Sequence, residues 1–429
     1  MSVLYPKVGW NKLLHSTDWI HGDTNGEAME EQSSDSGPLL SFFIPNLTVG
    51  GAEQVVVNII NGLADRGHNV ELVLSEQKGE LLSQVDPQIP VVELPPDPVQ
   101  PLGVAVHLPA LTAYLSRKEP AVLFTHLTQA SVVALSAKRL LDIETAVIPT
   151  HHAASGVSTD RTSKALVVRQ LTRRLYPLAD RIIAVSKCVS DTVAADLSVD
   201  PGAISVLHNP VEVASIQEKA RDPVDHEWIE DDETDVVLFV GRIADQKDLR
   251  TWLRTFKMVH EQNSDVRGVI VGQGPRRKDI IDFTTELGLD DVVSVPGYVD
   301  NPFRYMAKAS VFLLSSHSEG LPTVLIEALA CGCPAVSTEC PCGPREILGD
   351  GRYGRLAPVG DADRLAEAVV AELADPVPSE TLRQRAAEFS PKSILDDYET
   401  FLQKYCGVGP TQATQNKPRS EDAVHEKQP

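Results

Sequence analysis

The sequence predicts two doubly wound α/β domains that face each other across a central cleft. Three observations carry this reading. The chain has 429 residues, too many for one ordinary core. Strand and helix patterns alternate in both halves, which implies parallel sheets wrapped by helices. Between the halves lies a stretch rich in Asp and Glu, the composition of a domain connection. Ligands of such folds bind beyond the carboxyl ends of the strands, so the cleft is the expected site.

The elements follow in order. Residues 1–38 are polar and mixed, ending near EEQSSDSGP, and read as a flexible arm. The first domain is expected over 39–210. It opens with an apolar strand at 39–44, the loop PNLTVGGAE, and a helix with Val56, Ile59, Ile60 and Leu63 on one face. A strand at 70–75 completes a βαβ unit. Further strands are expected at 91–94, 121–124, 146–149 and 181–185. Residues 211–234 read as an acidic, exposed linker. The second domain, 235–390, starts with DVVLFVG and a helix carrying Leu249, Trp252, Leu253, Phe256 and Val259. Strands RGVIVG, VVSV, SVFLL and PAVS follow, and helices are expected at 361–374 and 379–388. A last helix within 391–406 is expected to pack back on the first domain, and 407–429 to be a disordered tail.

Composition excludes several classes. Apolar residues make up 42%, enough for packed cores, but no run of about 18 apolar residues occurs, so no spanning helix is expected. The first residues lack a signal-peptide core, which predicts a cytoplasmic protein. The formal net charge of -21 repels phosphate backbones and argues against nucleic-acid binding. That charge fits either a high-salt medium or merely acidic helix faces and linker. Six cysteines in a chain without an export signal disfavour structural disulfides. Cys331, Cys333, Cys340 and Cys342 form two C-x-C pairs. Their spacing departs from zinc sites, and they read better as small buried hydrophobes. No metal or cofactor is expected.

Several segments carry candidate chemistry. In SEGLPTVLIEALACGCP, Glu319 and Glu327 have seven residues between them. Gly320, Leu321, Pro322 and Thr323 lead into a helix whose free N–H groups suit a phosphate, with Pro322 fitting its first position. The two carboxylates can accept bonds from hydroxyls, as recognition of a sugar or ribose requires. The bland alternative makes Glu327 an exposed helix residue. In GRIADQK, Gly241 to Lys247, Arg242 and Lys247 follow a strand and can neutralise a pyrophosphate in place of a divalent cation. The alternative is two solvated surface cations. Gly50 and Gly51, and Gly272 in VGQGP, allow close backbone approach, although a glycine pair also suits any tight turn. No full G-x-G-x-x-G occurs, which disfavours a nicotinamide site. His126 ends one strand and His151 and His152 another; each could face the cleft or sit in a packed loop. Asp361 and Asp363 form a D-x-D, but Asp361 reads as a helix N-cap rather than a metal ligand.

In order, GGAEQVVVNIINGLADRGHNV, IAVS, HNPV, FVGRIADQKDL, VGQGP, VPGYVDN, the E-x7-E stretch and CPCGPREILGDGRYGRLAPVGD resemble family four of the retaining glycosyltransferases, which have the GT-B fold. The resemblance spans about residues 39–405. It implies that Arg242 and Lys247 bind the donor pyrophosphate, that Glu319 lies near the donor sugar, and that Glu327 holds the ribose hydroxyls. Gly50 and Gly51 match the first-domain loop near phosphates and acceptor, and the backbone near Tyr298 and Val299 matches the base-binding turn. His152 best matches the histidine near the reacting sugar, with His126 and His151 left as alternatives. The segment with Gly343, Pro344, Arg345 and Glu346 resembles members that build polysaccharides and lipid-linked oligosaccharides. The implied activity is transfer of a hexose or N-acetylhexosamine from a nucleotide-sugar, UDP preferred, to a glycan or lipid-linked acceptor, with retention. Front-face departure of the nucleotide is the implied route, with the diphosphate helping to take the acceptor proton. A lipid-linked acceptor would call for peripheral contact at the inner membrane face. The sequence shows no strongly basic amphipathic helix for it, only some amphipathic character in KVGWNKLLHSTDW. Two alternatives stay open. One is another GT-B enzyme, such as a sugar-nucleotide epimerase or a phosphorylase; the GRxxxxK and E-x7-E pair favours transfer over both, and an epimerase would convert donor with no acceptor present. A non-catalytic scaffold would turn nothing over, and the four charged residues argue against it.

Overall fold

The structure is a computed structural model, and it describes residues 37–48, 50–95, 107–153, 163–231 and 233–409. The expected arm therefore lies almost wholly outside the described residues, as does the tail beyond 409.

The first sheet holds β1 (Leu39–Ile44), β2 (Asn69–Leu74), β3 (Val91–Glu93), β4 (Val122–His126), β5 (Ala146–His151), β6 (Ile182–Ala184) and β7 (Ile204–Val206). All seven are parallel, in the order β3-β2-β1-β4-β5-β6-β7. The crossovers carry α1 (Gly51–Asp65), α2 (Leu108–Lys118), α3 (Thr128–Leu141), α4 (Ser163–Leu175) and α5 (Lys187–Leu197). Both faces of this sheet are covered, which is why β1 reads LLSFFI, nearly apolar throughout rather than alternating.

Residues 211–234 differ from the expected exposed linker. They form α6 (Val213–Lys219) and α7 (Glu227–Glu230), which pack on the second domain. The reason is the apolar set Val213, Ile216, Val224 and Ile229, all buried, spaced among the acidic residues that face solvent.

The second sheet holds β8 (Val236–Val240), β9 (Arg267–Val271), β10 (Val293–Gly297), β11 (Val311–Leu314), β12 (Ala335–Thr338) and β13 (Arg355–Ala357). They are parallel, in the order β10-β9-β8-β11-β12-β13. Its helices are α8 (Leu249–Gln262), α9 (Arg277–Glu286), α10 (Phe303–Lys308), α11 (Thr323–Cys331), α12 (Pro344–Ile347), α13 (Ala362–Ala374) and α14 (Ser379–Ala387). Trp252 and Phe256 of α8 stack at 5.6 Å in its core. The strand order reverses between β1 and β4 in one sheet and between β8 and β11 in the other, where such folds open a crevice.

The chain then crosses back. In α15 (Pro391–Phe401), Ile394, Leu395, Tyr398 and Phe401 are buried in the core of the first sheet. Gly62 of α1 leaves room for Leu395, and Arg66 pairs with Asp396 at 2.7 Å and Glu399 at 3.1 Å. Among the described residues no helix is long and apolar enough to cross a membrane.

Candidate active site

The loops that leave β8, β9, β10 and β11 sit side by side at one end of the second sheet. They bring Gly241, Arg242, Lys247, Gly272, Tyr298, Val299 and Glu319 to Thr323 together there. Two of these loops are zipped by backbone. Gly241 N–H donates to Val271 O at 3.0 Å, and Ile243 N–H donates to Gln273 O at 2.8 Å. Gly272 has φ of 146°, and a Cβ there would stand 1.9 Å from Gly241 O, so only glycine fits.

Lys247 and Glu319 form the centre of this cluster. Lys247 Nζ lies 2.7 Å from Glu319 Oε1, with both side chains largely buried. Ser316 Oγ donates to the same oxygen at 2.6 Å. Ser315 Oγ fixes the lysine loop by donating to Lys247 O and Asp248 O. Gln246 Nε2 also donates to Ser318 O. Arg242 is exposed and makes no ion pair among the described residues, so its charge is available to an anion. Pro322 is the N-cap of α11 and Thr323 its first residue, one position later than the sequence suggested. No side chain caps this helix, which leaves its first N–H groups open. Glu327 lies one turn into α11, half-buried. Burial pushes its carboxyl up to about 7, against the opposing pull of the Thr323 hydroxyl and Lys247. Tyr298 is among the most exposed large side chains, on the loop after β10.

The facing side comes from β1, β4 and β5. Gly50 is the N-cap of α1, in extended conformation and without a side-chain cap bond, and a Cβ on Gly51 would meet nothing within 4 Å. His126 Nδ1 and His152 Nε2 lie 3.0 Å apart. The ring of His151 turns the other way, toward Tyr176 at 5.4 Å. His152 O sits against Gly320: a Cβ on that glycine would lie 2.0 Å from it. His152 is thus at the junction of the two domains, while His151 is inside the first. Burial holds all three imidazoles neutral, bringing His151 down to about 4 and His152 to about 3, with His126 well below its ordinary value. They offer hydrogen bonds, not positive charge.

More contacts close the cleft on one side. Ser186, N-cap of α5, donates through Oγ to Gly320 O at 2.9 Å. Glu346 of α12 accepts from Lys187 N–H at 2.9 Å and meets His208 Nε2 at 2.7 Å. Cys188 and Cys342, 154 residues apart, are joined by a disulfide that links the domains at the same place. This corrects the expectation against structural disulfides: compartment disfavours them in general, whereas this pair meets only because the two domains bring α5 and the loop before α12 together. Cys331 and Cys333 are buried and point their thiols at Phe303 O and Ala309 O. Asp361 caps α13 by accepting from Arg364 N–H at 3.0 Å.

One exposed surface has no counterpart among the sequence motifs. Helix α4, SKALVVRQLTRRL, exposes Leu166, Val167 and Leu171 together with Arg173 and Arg174. Its mean hydropathy is low, and the apolar residues emerge as an outer face only once α3 and α5 cover the inner one. The signal available beforehand was three arginines in six residues of an acidic chain.

Comparison with known proteins agrees with the fold. Residues 49–215 match the family model described as Glycosyltransferase Family 4, and residues 221–392 match that described as Glycosyl transferases group 1. The N-acetylgalactosamine-N,N'-diacetylbacillosaminyl-diphospho-undecaprenol 4-alpha-N-acetylgalactosaminyltransferase of Campylobacter jejuni is 29% identical, over 78% of this chain and 90% of its own length. The amylovoran biosynthesis glycosyltransferase AmsD of Erwinia amylovora is 25% identical, over 82% of this chain and 96% of its own. Among solved structures, Anabaena Alr3699/HepE in complex with UDP-glucose superposes with a TM-score of 0.70 at 18% identity, covering 85% of this chain and 99% of that one.

Proposed function

The chain belongs to the family 4 glycosyltransferases of GT-B fold, and from that premise we propose that it transfers a hexose or N-acetylhexosamine from a UDP-sugar to a lipid-linked or glycan acceptor with retention of configuration. The observation that carries this reading is the Lys247–Glu319 pair, set beside the open helix start at Thr323 and facing His152 across the domain junction. In the reading, Arg242, Lys247 and the first N–H groups of α11 take the growing charge of the departing diphosphate. Glu327 accepts from the ribose hydroxyls, Tyr298 and Val299 border the base, and Glu319 and neutral His152 bond the donor sugar. The acceptor enters on the face the nucleotide leaves, past Gly50 and Gly51, and a diphosphate oxygen takes its proton. Arg242 and Lys247 supply the positive charge that a divalent metal would otherwise bring, so the proposed transfer needs no metal.

The C. jejuni relative is named for a diphospho-undecaprenol acceptor, which supports a lipid-linked substrate here. Such a substrate places the enzyme at the inner face of a membrane. The exposed Leu166, Val167 and Leu171 with Arg173 and Arg174 of α4 are the docking face we assign to it.

A thermal-shift series with UDP, GDP, ADP and their sugar conjugates tests the donor, since a ligand of the native state raises the melting temperature. The expected result is a shift with UDP compounds, weakened by Arg242→Ala and Glu327→Ala. Turnover should survive a chelator, and Arg242→Ala should lower kcat by about 10²–10³ without unfolding the protein. Normal turnover in that variant would remove Arg242 from the site, and loss of activity in chelator would restore a metal.

A further inference from the structure

We propose that Cys188 and Cys342 form a redox-reversible tie between the domains: oxidised, it holds the cleft shut over the nucleotide; reduced, it lets the domains part and the nucleotide leave. The proposal rests on the reading of the cleft as the transfer site.

Position is the first argument. Cys188 lies in the first turn of α5, two residues after Ser186, whose hydroxyl reaches Gly320 O. Cys342 precedes Gly343, which touches Pro322 and Gly320 so closely that a Cβ would lie 2.4 Å from Pro322 Cδ. Pro341, the residue before Cys342, accepts from Glu319 N–H at 3.4 Å. The bonded loop therefore supports the backbone of Glu319, and its partner helix abuts the donor loop from the other domain.

Geometry is the second. Cys342 has φ of 67° and Gly343 of 89°, two successive left-handed residues. A cysteine adopts that conformation only where its surroundings hold it. Here the Cys188 sulfur holds Cys342, and Pro322 and Gly320 crowd the neighbouring Gly343. With the bond formed the Cα atoms are 5.0 Å apart and cannot separate beyond about 7 Å. Without it, the cleft edge beside the bond is held by Ser186–Gly320, Lys187–Glu346 and His208–Glu346, polar contacts that can be exchanged for water, and by the close approach of His152 O to Gly320.

Thiol chemistry is the third. Cys188 is half-buried and Cys342 buried, so Cys188 is the more accessible of the two to an outside reagent. Its thiolate attacks a low-molecular-weight disulfide, forming a mixed disulfide and releasing one thiolate. The Cys342 thiolate then attacks the Cys188 sulfur and releases the second. The protein dithiol is oxidised, the small disulfide is reduced to two thiols, and these take up the two protons. A dithiol reverses the sequence. Cys340, two residues from Cys342, is pushed up to about 12 by burial and the nearby Glu319 carboxylate. It stays a thiol and does not compete for the bond.

The test uses the full-length protein treated with glutathione disulfide or with dithiothreitol. Free thiols are then blocked, and the protein is digested without reduction for mass spectrometry. A peptide linking Cys188 to Cys342 is expected in the first sample only. Amide hydrogen exchange at 186–190 and 343–348 should be about tenfold faster in the reduced protein, because local opening is no longer restrained. UDP should dissociate several-fold faster from the reduced form. Cys188→Ser and Cys342→Ser should behave as reduced protein under either reagent. Absence of the linked peptide would overturn the tie. So would a linked peptide with the same exchange and the same UDP release in both forms. The wild-type comparison needs no variant to fold. If UDP binds neither form, the nucleotide reading fails instead, and the exchange data still decide the tie.

Discussion

At the scale of single residues, protonation sorts the site. The histidines are held neutral by burial, His151 and His152 titrating near 4 and 3, so they do not change charge between pH 6 and 8. Glu327 does, since burial has raised it to about 7. Its proposed partners, the ribose hydroxyls, donate to a carboxylate and so favour the ionised form. The sign follows from linkage: the ligand binds the deprotonated protein, so affinity falls as pH drops below 7 and levels off above it. From pH 8 to pH 6 the Kd for UDP should rise about tenfold, the loss expected when one group must first shed a proton. Glu327→Gln should bind weakly and show a flat profile over the same range. Calorimetric titration at several pH values checks this. An unchanged slope in Glu327→Gln would assign the titration to another group and detach Glu327 from the ribose.

At the scale of elements, the tightest constraint is the seam between the loops after β8 and β9. Gly272→Ala puts a methyl against Gly241 O at a φ that suits only glycine. The cost should be about 2–4 kcal/mol, strain and overpacking combined, read as a lower midpoint in urea. Gly51→Ala, with open space around it, should leave the midpoint nearly unchanged and act on ligand binding instead. These elements also mark what could be read from the sequence. Strands such as LLSFFI and VVLFV announce themselves because both faces are buried. The three-residue strands β7 and β13 do not, being too short to show a period and held mainly by their neighbours in the sheet. The GRIADQK and E-x7-E segments could be placed at strand ends from their order alone. The Lys247–Glu319 bond could not, since it joins loops 72 residues apart. Nor could the Cys188–Cys342 link or the packing of 211–234, which depend on how the two sheets meet.

At the scale of the whole molecule, a net charge of -21 should keep the protein away from anionic surfaces. Charge acts locally, however, because screening confines it to about 8–10 Å at ordinary ionic strength. Within that range α4 presents Arg173 and Arg174 beside exposed Leu166, Val167 and Leu171. Leu140, at the end of α3 on which α4 packs, and Leu178 just beyond α4 are also exposed. The rest of the surface is repelled, which turns α4 and its side of the first domain toward the bilayer. Co-sedimentation should therefore show binding to vesicles of anionic phospholipid, little to zwitterionic ones, and release as salt rises. Neutralising both arginines by Arg173→Gln and Arg174→Gln should cost about 2 kcal/mol, roughly thirtyfold in partitioning, at about 1 kcal/mol per basic residue near the surface. Leu166→Ser and Val167→Ser should weaken binding to the same vesicles at every salt concentration, since the apolar contribution is not screened. Turnover on a water-soluble acceptor should be unchanged in all four variants, because none of the proposed site residues lies on α4. Equal binding to zwitterionic and anionic vesicles, or no effect of the arginine changes, would show that α4 is not the docking face.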